Sequence, residues 1–219
     1  MKAPNTIGRA TTRDGEELAL YERDGVFQIR IDGMELMSSR AHGSEKALAE
    51  LTREAIRRIA APKVLIGGLG MGYTLRSALE CFPQAARLVV AEVFPQVVAW
   101  NRGPLAHLAG RPLDDPRVEL RQKDVSKVIA SEPFDAIVLD VDNGPAAFTL
   151  ESNGGLYTAS GLARIRRGLT PRGVLSVWSA ADEPAFERRM RRAGFKVSRE
   201  RIPARGRGGG PRHTIYLGQ

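Results

Sequence analysis

The stretch KVLIGGLGMGYTLRSALE, residues 63–80, constrains the fold of this chain more than any other segment. An apolar run is followed by Gly68, Gly70 and Gly72 and then by a helical pattern. Glycine adopts positive φ at little cost and lets a ligand approach the backbone closely. This order of strand, glycine-rich turn and helix predicts a binding site for a nucleotide or nucleoside. A purely structural tight turn, which would use one or two of the same glycines, is the alternative.

From residue 62 onward, β-rich runs alternate with helical patterns, which is typical of an α/β domain with a mostly parallel sheet. The predicted strands are KVLIG, RLVVAEV, RVELRQ, FDAIVLD, GVLSVWS, GFKVSRE and HTIYLG. Helices are predicted near residues 75–82, 95–102, 160–167 and 184–193. Because RIPARGRGGGPR has no helical pattern, we expect the last two strands to pair antiparallel at one edge of a seven-stranded sheet.

The residues before 40 have a different pattern. Alternating runs surround Asp24-Gly25 and Asp32-Gly33, two dipeptides that favour hairpin turns. They predict a short N-terminal β-meander, residues 1–40, ahead of a main domain of residues 41–219. SEKALAELTREAIRRI then predicts a helix, with Ser44 as its N-cap.

The cysteine and histidine content and the lack of long apolar runs argue against a disulfide-bonded, metal-binding or membrane protein. The single cysteine cannot form an internal disulfide, and the three histidines lack metal-ligand spacing, so we expect no metal. No apolar run approaches the roughly 18 residues that a membrane span needs, and the N-terminus lacks the apolar centre of a signal peptide. The sequence therefore predicts a cytoplasmic protein without a membrane segment.

The formal net charge is +8, and much of the excess lies in ERRMRRAGFKVSRERIPARGRGGGPRH. A solvated helix face followed by a flexible arginine-rich loop is the favoured interpretation. A surface that binds nucleic acid or an acidic partner is the less favoured one.

Two acidic residues follow the strands after the glycine turn. Glu92 ends the next strand, about 20 residues beyond the turn, where a carboxylate can accept both hydroxyl hydrogens of a ribose. The dinucleotide pattern would need glycine where Tyr73 stands, so a nucleoside without a pyrophosphate fits better. Asp124 follows the third strand and either contacts an adenine or caps the short helix after it.

A further acidic segment, FDAIVLDVDNGPAAF, ends an apolar strand with Asp140 and Asp142. Crowded carboxylates are costly unless a cation, a hydrogen-bond donor or water meets them, so a positively charged substrate is predicted. An Asx-type turn would account for Asp142 but leaves Asp140 unexplained. His42 and Glu45 could face the same site or cap the first helix.

Together these segments resemble the spermidine synthase family, the polyamine aminopropyltransferases, which share the fold of class I S-adenosylmethionine-dependent methyltransferases. VLIGGLGMGYTLRSAL resembles the family's glycine motif and FDAIVLDVDNGPAAFT its catalytic segment. Glu92 resembles its ribose-binding acid and Asp124 its adenine-contacting acid. LYERDGVFQIRIDGMELMSS resembles, more loosely, its N-terminal β-domain. Met71 stands where the family's motif carries an aspartate.

The resemblance implies a Rossmann-like methyltransferase fold and an enzyme that transfers an aminopropyl group from decarboxylated S-adenosylmethionine to an amine such as putrescine. It implies a donor site formed by Gly68, Gly70, Gly72, Glu92 and Asp124. Catalytic roles then fall to Asp140 and Asp142, and contacts with the acceptor to Asp142 and Tyr157. Family members commonly form dimers or tetramers, so a homodimer is expected.

Two other functions stay open at this stage. A methyltransferase that uses intact S-adenosylmethionine is the first, because Met71 removes the acid that the family uses to hold the donor's amino group. A non-catalytic protein that binds nucleic acid or an acidic partner through the basic C-terminal region is the second.

Overall fold

The computed structural model describes residues 3–12, 15–141, 144–145, 155–205 and 209–219. Its first part is a four-stranded antiparallel sheet in the order β1-β2-β3-β4. The strands are β1 (Asn5–Thr11), β2 (Glu17–Arg23), β3 (Val26–Ile31) and β4 (Met34–Ser38). The predicted β-meander is present, and the structure adds β1, which the sequence analysis did not identify.

The turns of this first sheet lie where the sequence placed them. Asp24 and Gly25, like Asp32 and Gly33, have positive φ, as hairpin turns of the mirror-image type require. Glycine and aspartate tolerate this backbone region better than most residues, so the two dipeptides fix where the strands reverse.

The larger sheet has seven strands in the order β10-β11-β9-β8-β5-β6-β7. They are β5 (Lys63–Gly67), β6 (Arg87–Ala91), β7 (Val118–Arg121), β8 (Phe134–Leu139), β9 (Leu169–Ser179), β10 (Val197–Pro203) and β11 (Arg212–Gly218). Strands β5 to β9 pair in parallel, whereas β11 runs antiparallel to both β9 and β10. The predicted α/β class and the antiparallel pair at one edge are confirmed.

Helices connect and cover these strands. They are α1 (Gly43–Ala55), α2 (Tyr73–Cys81), α3 (Pro95–Arg102), α4 (Val125–Ile129), α5 (Ala159–Arg167) and α6 (Pro184–Arg192). None of the helices within the described residues is long and apolar enough to cross a membrane. The chain's division into domains 1–40 and 41–219 stays a prediction.

The two sheets share a hydrophobic core. Leu18, Leu20 and Ile29 of the small sheet belong to the same buried cluster as Val64 and Ile66 of β5. A second cluster fills the other face of the large sheet and includes Phe134 and Tyr216. Because buried apolar area stabilises both sheets through one core, the small sheet is held firmly against the large one.

Two local predictions are corrected. Helix α1 begins one residue before Ser44, with His42 at the N-cap position and no side-chain capping bond. The hydroxyl of Ser44 is therefore not a cap, and it contacts other side chains. Strand β9 starts at Leu169, four residues before the predicted strand, because Phe134 at the start of β8 pairs with Leu169.

Candidate active site

A cavity of about 590 Å³ lies at the carboxyl ends of β5, β6, β7 and β8, where ligands bind in open α/β sheets. The small sheet forms the opposite wall, with Leu18, Gln28 and Met37 among the lining residues. Five of the residues predicted for the site line this cavity: Gly68, Gly70, Glu92, Asp124 and Asp140. The topology explains this gathering, since each of them follows or lies just beyond a parallel strand.

The glycine turn has positive φ at Gly68 and Gly70, which line the cavity. A Cβ atom at Gly68 would lie 2.4 Å from the backbone oxygen of Asp140, and one at Gly70 would lie 2.5 Å from Cε of Met37. Gly68 therefore needs glycine because the backbone after β8 approaches it closely, whereas Gly70 is favoured by its positive φ, since the end of the Met37 side chain could move aside.

Gly72 has a different place from the one predicted. It also has positive φ, but it precedes α2 and lies outside the cavity lining. A Cβ atom there would lie 3.1 Å from Oδ1 of Asn101 and 3.1 Å from Cγ of Pro112. Gly72 thus serves the packing of the turn against the segment that follows β6, and its predicted contact with a ligand is not supported by this arrangement.

Glu92 is buried, and its carboxylate is held by the backbone. The N–H of Leu69 donates to Oε2 at 3.0 Å, and the N–H of Phe94 donates to Oε1 at 2.8 Å. Burial raises the pKa of Glu92, although these backbone hydrogen bonds oppose the rise. The N–H groups of Val93 and Gly70 also interact with this carboxylate, so hydroxyl groups in the cavity would share its acceptor positions with the backbone.

Asp124 is the N-cap that the sequence offered as one alternative, and its contact with an adenine stays a prediction. Its Oδ1 accepts from the backbone N–H of Ser126 at 2.7 Å and also from the Ser126 hydroxyl, which makes Asp124 the N-cap of α4. The same side chain lines the cavity beside Val93, Phe94 and Val125. One carboxylate oxygen is thus committed to the helix, and the apolar neighbours suit the faces of an aromatic ring.

Asp140 follows β8 and faces the cavity. The hydroxyl of Thr74 donates to its Oδ2 at 2.5 Å, and no hydrogen bond within the described part of the chain engages its Oδ1. Burial raises the pKa of Asp140 to about 6, and the bond from Thr74 opposes the rise. A carboxylate with a raised pKa is a stronger base than an ordinary aspartate, which suits it to accept a proton.

A second carboxylate, Glu45 in the first turn of α1, lines the same cavity. Burial, together with the negative charge of Asp140, raises its pKa to about 7, although a hydrogen bond from Ser44 opposes the rise. The sequence analysis noted that Glu45 could face the site or cap the helix, and the structure favours the first.

The raised pKa of Glu45 makes stability depend on pH. A carboxyl whose pKa is raised by folding binds more protons in the folded state, so its contribution is present at low pH and is lost as the pH rises through about 7. Glu45→Gln cannot ionise, so we expect a smaller decline in the free energy of unfolding between pH 5 and pH 8. Urea unfolding at the two pH values measures this. Glu54→Gln, on the same helix but exposed, should leave the decline unchanged; equal declines for both variants would contradict the prediction.

Two predicted site residues remain, Asp142 and Tyr157. Asp142 lies outside the described residues. Tyr157 is buried against Phe186, with ring centroids 5.6 Å apart, and its hydroxyl contacts the backbone oxygen of Val141 at 3.4 Å. It is absent from the cavity lining and contacts Val141 just after β8, and its contact with an acceptor stays a prediction.

The sequence analysis missed several residues that line the cavity. Arg40, Lys123 and Arg205 lie there, and within the described ranges none of the three forms an ion pair. His213 and Trp178 form another part of the wall, with ring centroids 4.6 Å apart. One signal could have found His213: β11 runs antiparallel, so its start lies at the carboxyl ends of the parallel strands.

The chain is similar in sequence to known aminopropyltransferases over part of its length. No protein-family model matches it. It is 31% identical over 143 residues to Polyamine aminopropyltransferase 2 of Caldanaerobacter subterraneus subsp. tengcongensis, which covers 60% of this chain and 47% of that protein. It is 34% identical over 119 residues to the Polyamine aminopropyltransferase of Nitrosomonas europaea, covering 52% of this chain and 34% of that one. The chain thus spans less than half the length of these curated relatives.

Solved structures extend the likeness to nearly the whole chain. The spermidine synthase of Thermotoga maritima superposes with a TM-score of 0.75 over 97% of this chain and 72% of that one, at 18% identity. The chain has the spermidine synthase fold. A spermidine synthase in complex with the transition state analogue AdoDATO gives a TM-score of 0.74, also at 18% identity. The resemblance to the spermidine synthase family that was predicted from the sequence is confirmed.

Proposed function

We propose that this protein is a spermidine synthase-like transferase that moves an aminopropyl or related alkyl group from an S-adenosyl-sulfonium donor to an amine. The observation that carries the proposal is the single cavity in which the glycine turn and Glu92 lie together with Asp140. The turn and Glu92 suit a nucleoside, whereas the carboxylate with a raised pKa suits an amine that must lose a proton.

For the donor, the proposal assigns the ribose to Glu92 and the adenine to the region of Asp124. The backbone bonds from Leu69 and Phe94 hold both oxygens of Glu92 in fixed positions, so two ribose hydroxyls would meet an acceptor that needs no reorientation. Val93 and Val125 supply apolar contacts near Asp124, as ligand pockets with few polar groups do.

For the acceptor, the proposal assigns Asp140. An alkylamine has a pKa near 10 and is mostly protonated at neutral pH, so its nitrogen cannot attack until a proton leaves. Asp140 would hold the ammonium through Oδ1 and accept the proton. The nitrogen lone pair then forms the new carbon–nitrogen bond as the carbon–sulfur bond of the donor breaks, and the sulfur departs as a neutral thioether. Asp142 is proposed to bind the cation as well.

One observation favours a second candidate, a methyltransferase that uses intact S-adenosylmethionine. Met71 is buried in the core and does not line the cavity, so residue 71 offers no carboxylate to a donor's amino group. Arg40, Lys123 and Arg205 line the cavity without ion pairs among the described residues. An unpaired cation beside the donor would favour one that keeps its carboxylate.

The test is a calorimetric titration with decarboxylated S-adenosylmethionine, S-adenosylmethionine and methylthioadenosine. The leading proposal predicts that all three nucleosides bind, with a preference of about tenfold or more, or about 1.4 kcal/mol, for the decarboxylated donor. A preference for the intact donor would move the assignment to methyl transfer. Binding of none of them would overturn both candidates.

Three further points belong to the proposal. A polyamine-like amine is the proposed substrate, and it is supported by two carboxyl groups, Asp140 and Glu45, that line the same cavity. A homodimer is proposed on the resemblance alone, and the cytoplasmic location predicted from the sequence stays a prediction. Nucleic-acid binding by the basic C-terminal region is kept as the less favoured alternative, and binding that weakens steeply with salt would support it.

A further inference from the structure

The inference concerns Ser44, a fully buried serine at the start of α1. Its hydroxyl donates to Oε2 of Glu45 at 2.7 Å, and it lies 2.9 Å from Nδ1 of His213. Glu45 and His213 both line the cavity, whereas Ser44 does not. The buried Ser44 hydroxyl thus connects two titratable side chains that are about 170 residues apart in sequence and that line the same cavity.

The direction of these hydrogen bonds follows from counting protons. Ser44 has one hydroxyl hydrogen, and it is given to Glu45, so the Ser44 oxygen must accept from an Nδ1–H of His213. When Glu45 is protonated, the order reverses: Glu45 donates to Ser44, Ser44 donates to Nδ1, and His213 carries its hydrogen on Nε2. The two arrangements differ by one proton.

The surroundings of these three hydrogen-bonded side chains suit such a proton exchange. Burial lowers the pKa of His213, so the imidazole is neutral at pH 7 and has one nitrogen free to accept. The other charged and titratable groups that line the cavity with Glu45 and His213 are Glu35, Arg40, Glu92, Lys123, Asp124, Asp140 and Arg205, and Tyr73 interacts with Glu45 from α2. Among them, Asp140 is the group whose charge raises the pKa of Glu45.

We propose that Glu45, Ser44 and His213 form a proton relay that carries away the proton released by the acceptor amine at Asp140. This rests on the proposed function. Asp140 passes the proton through cavity water to Glu45 and so returns to its ionised form. The proton on Glu45 then moves to Ser44 as the Ser44 hydrogen moves to Nδ1, and His213, whose side chain is only partly buried, releases its Nε2 hydrogen to water. One proton enters at Glu45 and one leaves at His213.

The first arm of the test does not use activity. In protein labelled with ¹⁵N at histidine, NMR distinguishes the two neutral tautomers of each imidazole. We expect His213 to change from the Nδ1–H form well above pH 7 to the Nε2–H form below it, without becoming charged, because Glu45 takes up a proton at about that pH. Ser44→Ala should abolish the change. His42 and His107 serve as internal references.

The second arm measures turnover with the donor and amine that the wild-type protein accepts. Ser44→Ala should lower turnover by about 100-fold, the lower end of what a positioned proton-transfer group contributes, with little change in the KM for the donor. His213→Gln should act in the same direction. The matched control is Thr52→Val, which also removes a buried hydroxyl from α1 but one bonded to Leu48 and Ser176, outside the cavity lining. It should keep both the tautomer change and the turnover.

A single His213 tautomer at all pH values, or a change that survives in Ser44→Ala, would overturn the relay. An unchanged turnover of Ser44→Ala would overturn it as well, even if the tautomers behave as expected. A wild-type protein that transfers nothing would overturn the proposed function and the relay together, whereas an active wild type with an active Ser44→Ala variant would overturn the relay alone.

Discussion

Replacing Asp140 with asparagine is expected to lower turnover by about 100- to 10,000-fold, the range that a positioned proton acceptor contributes. The asparagine amide keeps an oxygen that can accept from Thr74, so the side chain should stay in place while losing its basicity. Because Asp140 is proposed to act on the acceptor, donor affinity should change little. Steady-state turnover, together with calorimetric titration of the donor, separates the two effects.

A matched variant lies on the same strand. Asp135, at the other end of β8, accepts from the backbone of Lys63 and the hydroxyl of Thr170 and does not line the cavity. Asp135→Asn should therefore keep turnover within a few-fold of the wild-type value. A fully active Asp140→Asn protein would remove the proton-accepting role from this residue.

Replacing Glu92 should weaken nucleoside binding. Glu92→Ala loses the acceptors proposed for the ribose hydroxyls, and a hydrogen bond to a charged group contributes about 2 kcal/mol, which corresponds to roughly a 30-fold change in Kd. It also leaves the N–H groups of Leu69 and Phe94 without their acceptor, so the variant should melt at a lower temperature. Titration with methylthioadenosine below the melting range of the variant measures the binding effect.

Two further variants separate binding from folding. Glu92→Gln keeps one carbonyl oxygen, so it should lose less stability than Glu92→Ala while still losing affinity. Glu119→Ala removes an exposed carboxylate on the neighbouring strand β7, outside the cavity, and should leave affinity unchanged. If Glu92→Ala bound the nucleoside as tightly as the wild type, the ribose would have to be assigned elsewhere.

Much of the fold could be predicted because its signals are local. Buried parallel strands appear as continuous apolar runs, as in the residues of β5 and β6, and the dipeptides at Asp24 and Asp32 fix two hairpins. Strand β1 was missed because its residues are mostly exposed and carry little apolar alternation. The contact of β1 with β2, not its own sequence, makes it a strand.

Part of the site could be predicted because residues that follow successive parallel strands meet at one edge of the sheet. Glu92 and Asp140 were found because each ends a parallel strand, and all such ends meet. Gly72 was assigned with the other glycines of the turn and Tyr157 on the family resemblance, but neither lines the cavity. Ser44 and His213 could not be paired from the sequence, since no local pattern connects a helix start to a strand 169 residues later.

The position of β11 in the large sheet has a kinetic consequence. It follows β10 in the chain but lies between β10 and β9, so β10 cannot join the sheet before β11 exists. We expect these two strands to form a hairpin first, through contacts that are local in sequence, and then to add to the open edge of β9 as a unit. That addition brings His213 to Trp178 and joins Ala204 to the start of α1 through the backbone N–H of Gly43. The part of the cavity wall that includes His213 would thus be among the last parts of the molecule to assemble. A chain folded only as far as β9 would have the glycine turn and Glu92 in place but would lack the His213 end of the proposed proton relay.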